Sequence, residues 1–318
     1  MKFIKKISFI KWGVVLILLL NTIQAKAQLY PHEGYIEVKG GKLWYRIVGS
    51  GNKTPLLLLH GGPGSSSYYL NPLKKLAAGR PVIFFDQLGC GRSSHITDTS
   101  LMTIAGYVEQ VAQLKKALGI TDYFLYGHSW GTMLGIDYYL KHPEGIKAIV
   151  FSSPLFSTDL WINDAKILIK KLPDSVQQMI QVNELHQTYS SADYERAVQI
   201  YYSHFLQRTK RKQADIDSME KFTATNVYEY MWGPSEFKAT GTLKNYNRLQ
   251  NLHKIKVPVL LTCGQYDEAR PATVKYYQSL IPGARFTIIK NSGHVTMIDN
   301  TKDNNKVIRD FLIKLKNK

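Results

Sequence analysis

The sequence predicts an α/β fold in which a doubly wound, mostly parallel sheet carries an inserted helical cap. Short, continuously apolar segments alternate with segments of helical periodicity, which is typical of a parallel sheet covered on both faces. Glycine-containing loops follow several of the apolar segments, at the sheet edge where such folds bind ligands. The alternation stops near Pro154 and resumes near residue 255. A chain of 318 residues is long enough for one such domain with an insertion.

The predicted strands and helices follow one another along the chain. Alternating residues 35–48 around a Gly40-Gly41 turn predict an antiparallel hairpin at a sheet edge. The further predicted elements are strands at Pro55–Leu59 and Pro81–Phe85, a helix over residues 100–118, a strand before Ser129, a helix Thr132–Lys141, strands Ile146–Phe151 and Val257–Cys263, a helix around Thr273–Leu280, a strand Arg285–Ile289 and a closing helix to Leu315.

Residues 155–254 are predicted to form the cap. Their pattern is helical and rich in aromatic residues, and no buried strand is obvious among them. We therefore assign residues 28–154 and 255–318 to the sheet domain, with the cap placed as a lid over Ser129.

The first 27 residues have the pattern of a secretory signal peptide. Basic residues precede a short apolar run, Trp12–Leu20, and Ala25-Lys26-Ala27 precedes Gln28. We expect cleavage after Ala27, a periplasmic or secreted protein, and no membrane span afterwards. An uncleaved anchor is the less favoured alternative, because a transmembrane helix needs about 20 apolar residues.

Charge argues against a nucleic-acid partner. The leader holds five of the basic residues and none of the acids, so cleavage lowers the net charge from +17 to +12. The remaining basic residues are scattered, apart from the run Arg208–Lys212, which is not accompanied by stacking aromatics or a nucleic-acid-binding module. We expect a solvated basic face with weak attraction to anionic envelope surfaces.

The two cysteines, Cys90 and Cys263, each lie near the end of a predicted buried strand. One disulfide is formally possible, but two separate thiols are the favoured prediction. The sequence contains no Cys-x-x-Cys and no His-Glu-x-x-His motif, so no metal site is predicted.

The pentapeptide Gly127-His-Ser-Trp-Gly131 predicts a nucleophile elbow with Ser129 as the nucleophile. An apolar strand runs into it and a helix follows at once, which is the context that this sharp turn requires. Side chains at Gly127 and Gly131 would collide with the neighbouring strand and helix. Gly-x-Ser-x-Gly alone also fits a flexible loop, but such a loop would have polar flanks.

A serine nucleophile needs a base and an acid that orients the base. On this topology they follow in the order acid, then histidine, on loops after later strands. Of nine histidines, His294 alone follows the resumed strands, and Asp267 lies just after Val257–Cys263. Glu268 is adjacent and is an alternative to Asp267 as the acid.

An oxyanion hole needs two backbone amides directed at the developing charge. The amide of Trp130, which follows the nucleophile, is one candidate. The other is the amide of Gly62, in the loop His60-Gly-Gly-Pro-Gly64 directly after the first buried strand.

Together these motifs resemble the proline iminopeptidases, a family of α/β-hydrolases that includes the tricorn-interacting aminopeptidase. The resemblance runs from about residue 35 to the C-terminus. The residues that carry it are His60–Gly64, Asp86-Gln-Leu-Gly-Cys-Gly-Arg-Ser93, Gly127–Gly135, Gly264-Gln-Tyr-Asp-Glu268 and Ser292-Gly-His294. It implies a serine exopeptidase that releases an N-terminal residue, often proline, from short peptides through an acyl-enzyme and without metal or cofactor.

The resemblance also implies a site for the substrate's free α-amino group. The matching positions are Glu236, in the cap, and Glu268, and a dehydrated ammonium group does require paired carboxylates. Trp232 and the basic run near Arg208 match no family motif, so the preferred N-terminal side chain stays open, as does the oligomeric state. An amino-acid amidase or general esterase on the same triad is the nearest alternative, and a binding protein of this fold without turnover is another.

Overall fold

Eight strands form one sheet in the computed structural model, which describes residues 29–210 and 212–315; the predicted leader lies outside the described residues. The strands are β1 His32–Val38, β2 Gly41–Val48, β3 Leu56–Leu59, β4 Val82–Phe85, β5 Tyr123–His128, β6 Ile146–Ser152, β7 Val259–Gly264 and β8 Arg285–Ile289. Their spatial order is β1-β2-β4-β3-β5-β6-β7-β8. Strand β2 is antiparallel to both of its neighbours, β1 and β4, and strands β3 to β8 are parallel to one another. The predicted mostly parallel sheet with an edge hairpin is confirmed.

The helices lie in the segments that follow β4, β5, β6, β7 and β8. In the described chain they are α1 Ile104–Ala117, α2 Trp130–Lys141, α3 Thr158–Ile169, α4 Asp174–His186, α5 Ala192–Tyr201, α6 Gln213–Phe222, α7 Thr225–Met231, α8 Pro271–Leu280, α9 Thr296–Asp299 and α10 Thr301–Lys314. The predicted start of α1 at residue 100 is wrong. Thr103 ends the preceding turn and caps the helix, because its side chain accepts a hydrogen bond from the Gly106 amide.

Apolar side chains on both faces hold the central strands in place. Leu57 and Leu59 belong to a large cluster that includes Met133 of α2, whereas Leu56 and Leu58 pack in a second cluster under α10. Successive strand residues point to opposite faces, so a strand of four leucines is covered on both. Burial of each contributes about 1.5–3 kcal/mol.

Helices α3 to α7 lie between β6 and β7, where the helical insertion was predicted. Backbone hydrogen bonds join this segment to the loops at the sheet edge. The Ala224 amide donates to the Gly64 carbonyl at 2.7 Å, and the His294 amide donates to the Phe205 carbonyl at 2.8 Å. The guanidinium of Arg92 also lies between the rings of Trp44 and Phe222, at 4.5 and 4.4 Å. The division into core and cap domains stays a prediction.

Cys90 and Cys263 are buried free thiols, so the prediction of two separate cysteines is confirmed. Burial raises the pKa of both thiols, which keeps them protonated and unreactive. Across residues 29–210 and 212–315 no helix is both long and apolar enough to span a bilayer. The same residues contain no group of histidine, cysteine and acidic side chains placed to hold a metal ion.

Candidate active site

Ser129 lies at the turn between β5 and α2. Its backbone has φ 54° and ψ −126°, a conformation that a residue with a side chain rarely adopts. The turn is held on both sides: the Ser129 amide donates to the Ser152 carbonyl at 3.1 Å, and the Thr132 hydroxyl donates to the Ser129 carbonyl at 2.7 Å. The strand–turn–helix arrangement predicted for the elbow is present.

The two glycines of the pentapeptide have the close neighbours that were predicted. A Cβ atom at Gly127 would clash with the backbone of Gly131 and Thr132 at the start of α2. A Cβ atom at Gly131 would clash with the carbonyl oxygen of Leu59 on β3. Glycine is therefore required at both positions for the helix to approach the sheet at this angle.

His294 and Asp267 meet at the same edge of the sheet. The His294 Nδ1 atom lies 2.8 Å from Oδ1 of Asp267. Asp267 also accepts hydrogen bonds from the Ser153 hydroxyl at 2.6 Å and from the amides of Gly264 and Ala269, both at 2.8 Å. The carboxylate is thus acceptor-only and places the proton of the neutral imidazole on Nδ1, leaving Nε2 as the basic atom.

Ser129 and His294 line one pocket of about 170 Å³. Among the described residues no hydrogen bond joins the Ser129 hydroxyl to the His294 ring. Catalytic hydrogen bonds are often long in unliganded enzymes and shorten when substrate is bound. The geometry therefore brings the predicted nucleophile and the predicted base to one pocket, without a hydrogen bond between them.

The predicted oxyanion loop lies directly against Ser129. A Cβ atom built on Gly61 would stand 3.1 Å from Cβ of Ser129, and Gly62 has φ +118°, which only glycine adopts easily. The Gly62 amide donates to no described residue. The side chain of Gln87 fixes the loop relative to α2, because it accepts from Trp130 Nε1 at 2.8 Å and donates to the His60 carbonyl at 3.0 Å.

A second histidine supports the site, and the sequence did not predict this role. The Gly61 amide donates to the Tyr69 hydroxyl at 2.7 Å, and that hydroxyl lies 2.8 Å from Nδ1 of His128. His128 Nε2 lies 3.0 Å from the carbonyl of His294. Burial and the neighbouring His294 lower the pKa of His128 well below its usual value, so it stays neutral. These bonds tie the oxyanion loop to the histidine loop.

Neither carboxyl oxygen of the buried Glu268 has a hydrogen-bond partner among the described residues. The residue is 2% exposed, and its Oε1 atom lies 3.7 Å from Nε2 of His294. Burial first, then the charges of Glu236 and Asp267, raise the pKa of this carboxyl well above its usual value. A buried carboxyl without a hydrogen bond, beside the predicted base His294, is costly for the fold and indicates a ligand of opposite charge.

Glu236 lines the pocket together with Ser129 and is partly exposed to it. Burial raises the pKa of its carboxyl, while His294 and the Tyr228 hydroxyl act in the opposite direction. The charge of Glu236 is one of the causes of the raised pKa of the Glu268 carboxyl, as expected of neighbouring acidic groups. A cation placed between them would relieve that repulsion.

Comparison with known proteins agrees with the geometry. A family model described as alpha/beta hydrolase fold matches residues 54–301. The proline iminopeptidase of Heyndrickxia coagulans is 41% identical over 282 residues, which are 88% of this chain and 98% of that protein. Among solved structures, VinJ superposes with a TM-score of 0.85 at 32% identity, covering 90% of this chain and 100% of VinJ. The proline iminopeptidase of Mycobacterium smegmatis has a TM-score of 0.83 at 29% identity, covering 89% of this chain and 98% of that one.

The fold and the elbow define an α/β-hydrolase. Within that class, the chain belongs to the proline iminopeptidase family, as its motifs predicted.

Proposed function

We propose that this protein is a serine aminopeptidase that releases N-terminal proline from short peptides through an acyl-enzyme. The observation that carries the proposal is the pair of acidic side chains beside His294: Glu236 lines the Ser129 pocket, and Oε1 of the buried Glu268 lies 3.7 Å from Nε2 of His294. Such a pair fits a free α-ammonium group, which an internal peptide bond or an acylated N-terminus does not offer. The names of the relatives, proline iminopeptidase, support proline as the released residue.

The proposed chemistry uses Ser129 as the nucleophile and His294 as the base. The Ser129 oxygen attacks the first peptide carbonyl while its proton moves to Nε2 of His294, and Asp267 stabilises the imidazolium that forms. The amides of Trp130 and Gly62 hold the oxyanion. His294 then gives the proton to the departing amine as the C–N bond breaks. Water next attacks the acyl-enzyme carbonyl and gives a proton to His294, which returns it to the Ser129 oxygen as the released residue departs.

The principal alternative is an amino-acid amidase or general esterase on the same triad. The ammonium site argues against the general esterase, because an ester substrate needs no positive charge, whereas an amino-acid amidase would share this site. Hydrolysis of proline, alanine and leucine naphthylamides, compared by kcat/KM, tests the proposal. A clear preference for proline supports it, and activity on simple acyl esters with none on any aminoacyl amide would favour the esterase.

We also propose that residues 155–254 form the cap domain.

We further propose that residues 1–27 are a signal peptide cleaved after Ala27, and that the mature protein acts on peptides in the periplasm or outside the cell. The basic n-region and the Ala25-Lys26-Ala27 tripeptide support the signal peptide. Sequencing the N-terminus of the exported protein tests it. A first residue of Gln28 is expected, whereas an intact leader in the cytosolic fraction would contradict the proposal.

Substrate affinity is expected to increase as pH rises through the acidic range. The raised pKa values of the Glu236 and Glu268 carboxyls mean that a proton must leave before the pair can bind an ammonium group. KM for prolyl-naphthylamide should therefore fall with rising pH, until the substrate amine itself deprotonates near about pH 8. A KM that is constant from about pH 5 to 7 would contradict the carboxylate assignment.

A further inference from the structure

A groove of about 420 Å³ adjoins the pocket of Ser129 and is lined by four lysines, Lys74, Lys75, Lys210 and Lys212. We name it the lysine groove. Tyr69 and Met219 line both this groove and the Ser129 pocket, so the two spaces share a wall.

The charge of the lysine groove is strongly one-sided. All four lysine side chains are exposed, and none has an ion-pair or side-chain hydrogen-bond partner in residues 29–210 and 212–315. Asp215 is the single acid in the lining, and it accepts a hydrogen bond from the Tyr68 hydroxyl at 3.2 Å. Several unpaired ammonium groups around one concave surface favour an anionic occupant.

The Ser129 pocket sets the direction in which a bound peptide must run. The ammonium end of the substrate is assigned to Glu236 and Glu268, and neither residue lines the lysine groove. Glu268 is buried, so the rest of the substrate extends away from it toward solvent. The lysine groove is a neighbouring space into which the substrate can extend, because it shares Tyr69 and Met219 with the Ser129 pocket.

We propose that the lysine groove holds the departing part of the peptide and that its ammonium groups bind the free C-terminal carboxylate. The inference rests on the proposed aminopeptidase function and narrows its substrates to peptides short enough for the carboxylate to reach the groove. Tyr68, Tyr69, Pro72, Met219 and Ile298 supply apolar surface for the side chains of the departing residues. The glutamates thus bind the positive N-terminus of a short peptide, and the lysine groove binds its negative C-terminus.

The test compares the tripeptide Pro-Ala-Ala with its C-terminal amide. The wild-type protein is expected to cleave the free acid with a kcat/KM about tenfold higher at low salt, because each exposed charge pair contributes up to ~1 kcal/mol. Raising the salt to about 1 M should remove most of the difference, since it shortens the Debye length to about 3 Å. The ratio of kcat/KM for the free acid to kcat/KM for the amide should move toward one in each of two double variants, Lys74→Gln/Lys75→Gln and Lys210→Gln/Lys212→Gln.

Two controls keep the result specific. The pair Lys170→Gln/Lys171→Gln removes the same charge from the exposed end of α3 and should leave the ratio unchanged. Prolyl-naphthylamide has no carboxylate, so its kcat/KM should be the same in all variants. Equal cleavage of acid and amide by the wild-type protein, or a ratio that survives loss of all four lysines, would overturn the inference while leaving the aminopeptidase proposal intact. Failure of the wild-type protein to cleave prolyl-naphthylamide would overturn both.

Discussion

Ser129→Ala is expected to lower kcat for prolyl-naphthylamide by at least about 10⁴-fold, because the hydroxyl proposed to form the acyl-enzyme is removed. The fold should be retained, since the hydroxyl makes no hydrogen bond with the described residues. Single-turnover assays on the purified variant measure the loss, and a fluorophosphonate should label the wild-type protein but not the variant.

Ser65→Ala provides a matched control, because Ser65 lines the same pocket. This variant is expected to stay within about tenfold of the wild-type rate, the range of a residue outside the reacting group. Turnover that persists in Ser129→Ala, or covalent labelling at another residue, would contradict the assignment of the nucleophile.

Glu268→Gln is expected to reduce kcat/KM for free-amine substrates by about 30- to 3,000-fold, through a higher KM. Removing one partner of a buried charge pair costs about 2–5 kcal/mol, and every 1.4 kcal/mol is a factor of ten. N-acetylated and ester substrates should be affected much less. If they lose as much activity, Glu268 acts on His294 at 3.7 Å and not on the ammonium group.

The same substitution is expected to stabilise the empty protein at pH 7. Folding raises the pKa of the Glu268 carboxyl. The free energy of unfolding therefore decreases as pH rises above the pKa of a glutamate in the unfolded chain, about 4.3. Glutamine cannot ionise, so the melting temperature should increase, by about 2–4 °C for each ~1 kcal/mol. Glu184→Gln is the control for activity, because burial also raises the pKa of Glu184, whose charged neighbours are Lys238 and Lys166 and not His294.

The elbow and the positions of Asp267 and His294 were predictable because each follows a strand whose apolar run is a local signal. Parallel strands bring their carboxyl ends to one edge, so loops far apart in sequence meet there. Topology alone did not decide between Asp267 and Glu268. The structure adds the geometry: Asp267 lies on the Nδ1 side of His294, and Glu268 lies on the Nε2 side.

The supporting groups were not predictable, because their contacts depend on tertiary structure. Tyr69 and His128 are 59 residues apart, and Ser153 and Asp267 are 114 residues apart, so no periodic pattern marks either pair. The run Arg208–Lys212 was predicted to be a solvated face. In the structure Arg208 stacks on Tyr266 at 4.0 Å, whereas Lys210 and Lys212 line the lysine groove.

The most direct measurement compares prolyl-naphthylamide with N-acetylprolyl-naphthylamide as substrates of the wild-type protein. The two molecules share the scissile bond and the proline ring and differ in the charge that Glu236 and Glu268 are proposed to bind. We expect kcat/KM to be at least about 10²-fold higher for the free amine, which corresponds to ~2.7 kcal/mol of ammonium recognition. Equal rates for the two compounds would show that the carboxylate pair does not select the substrate.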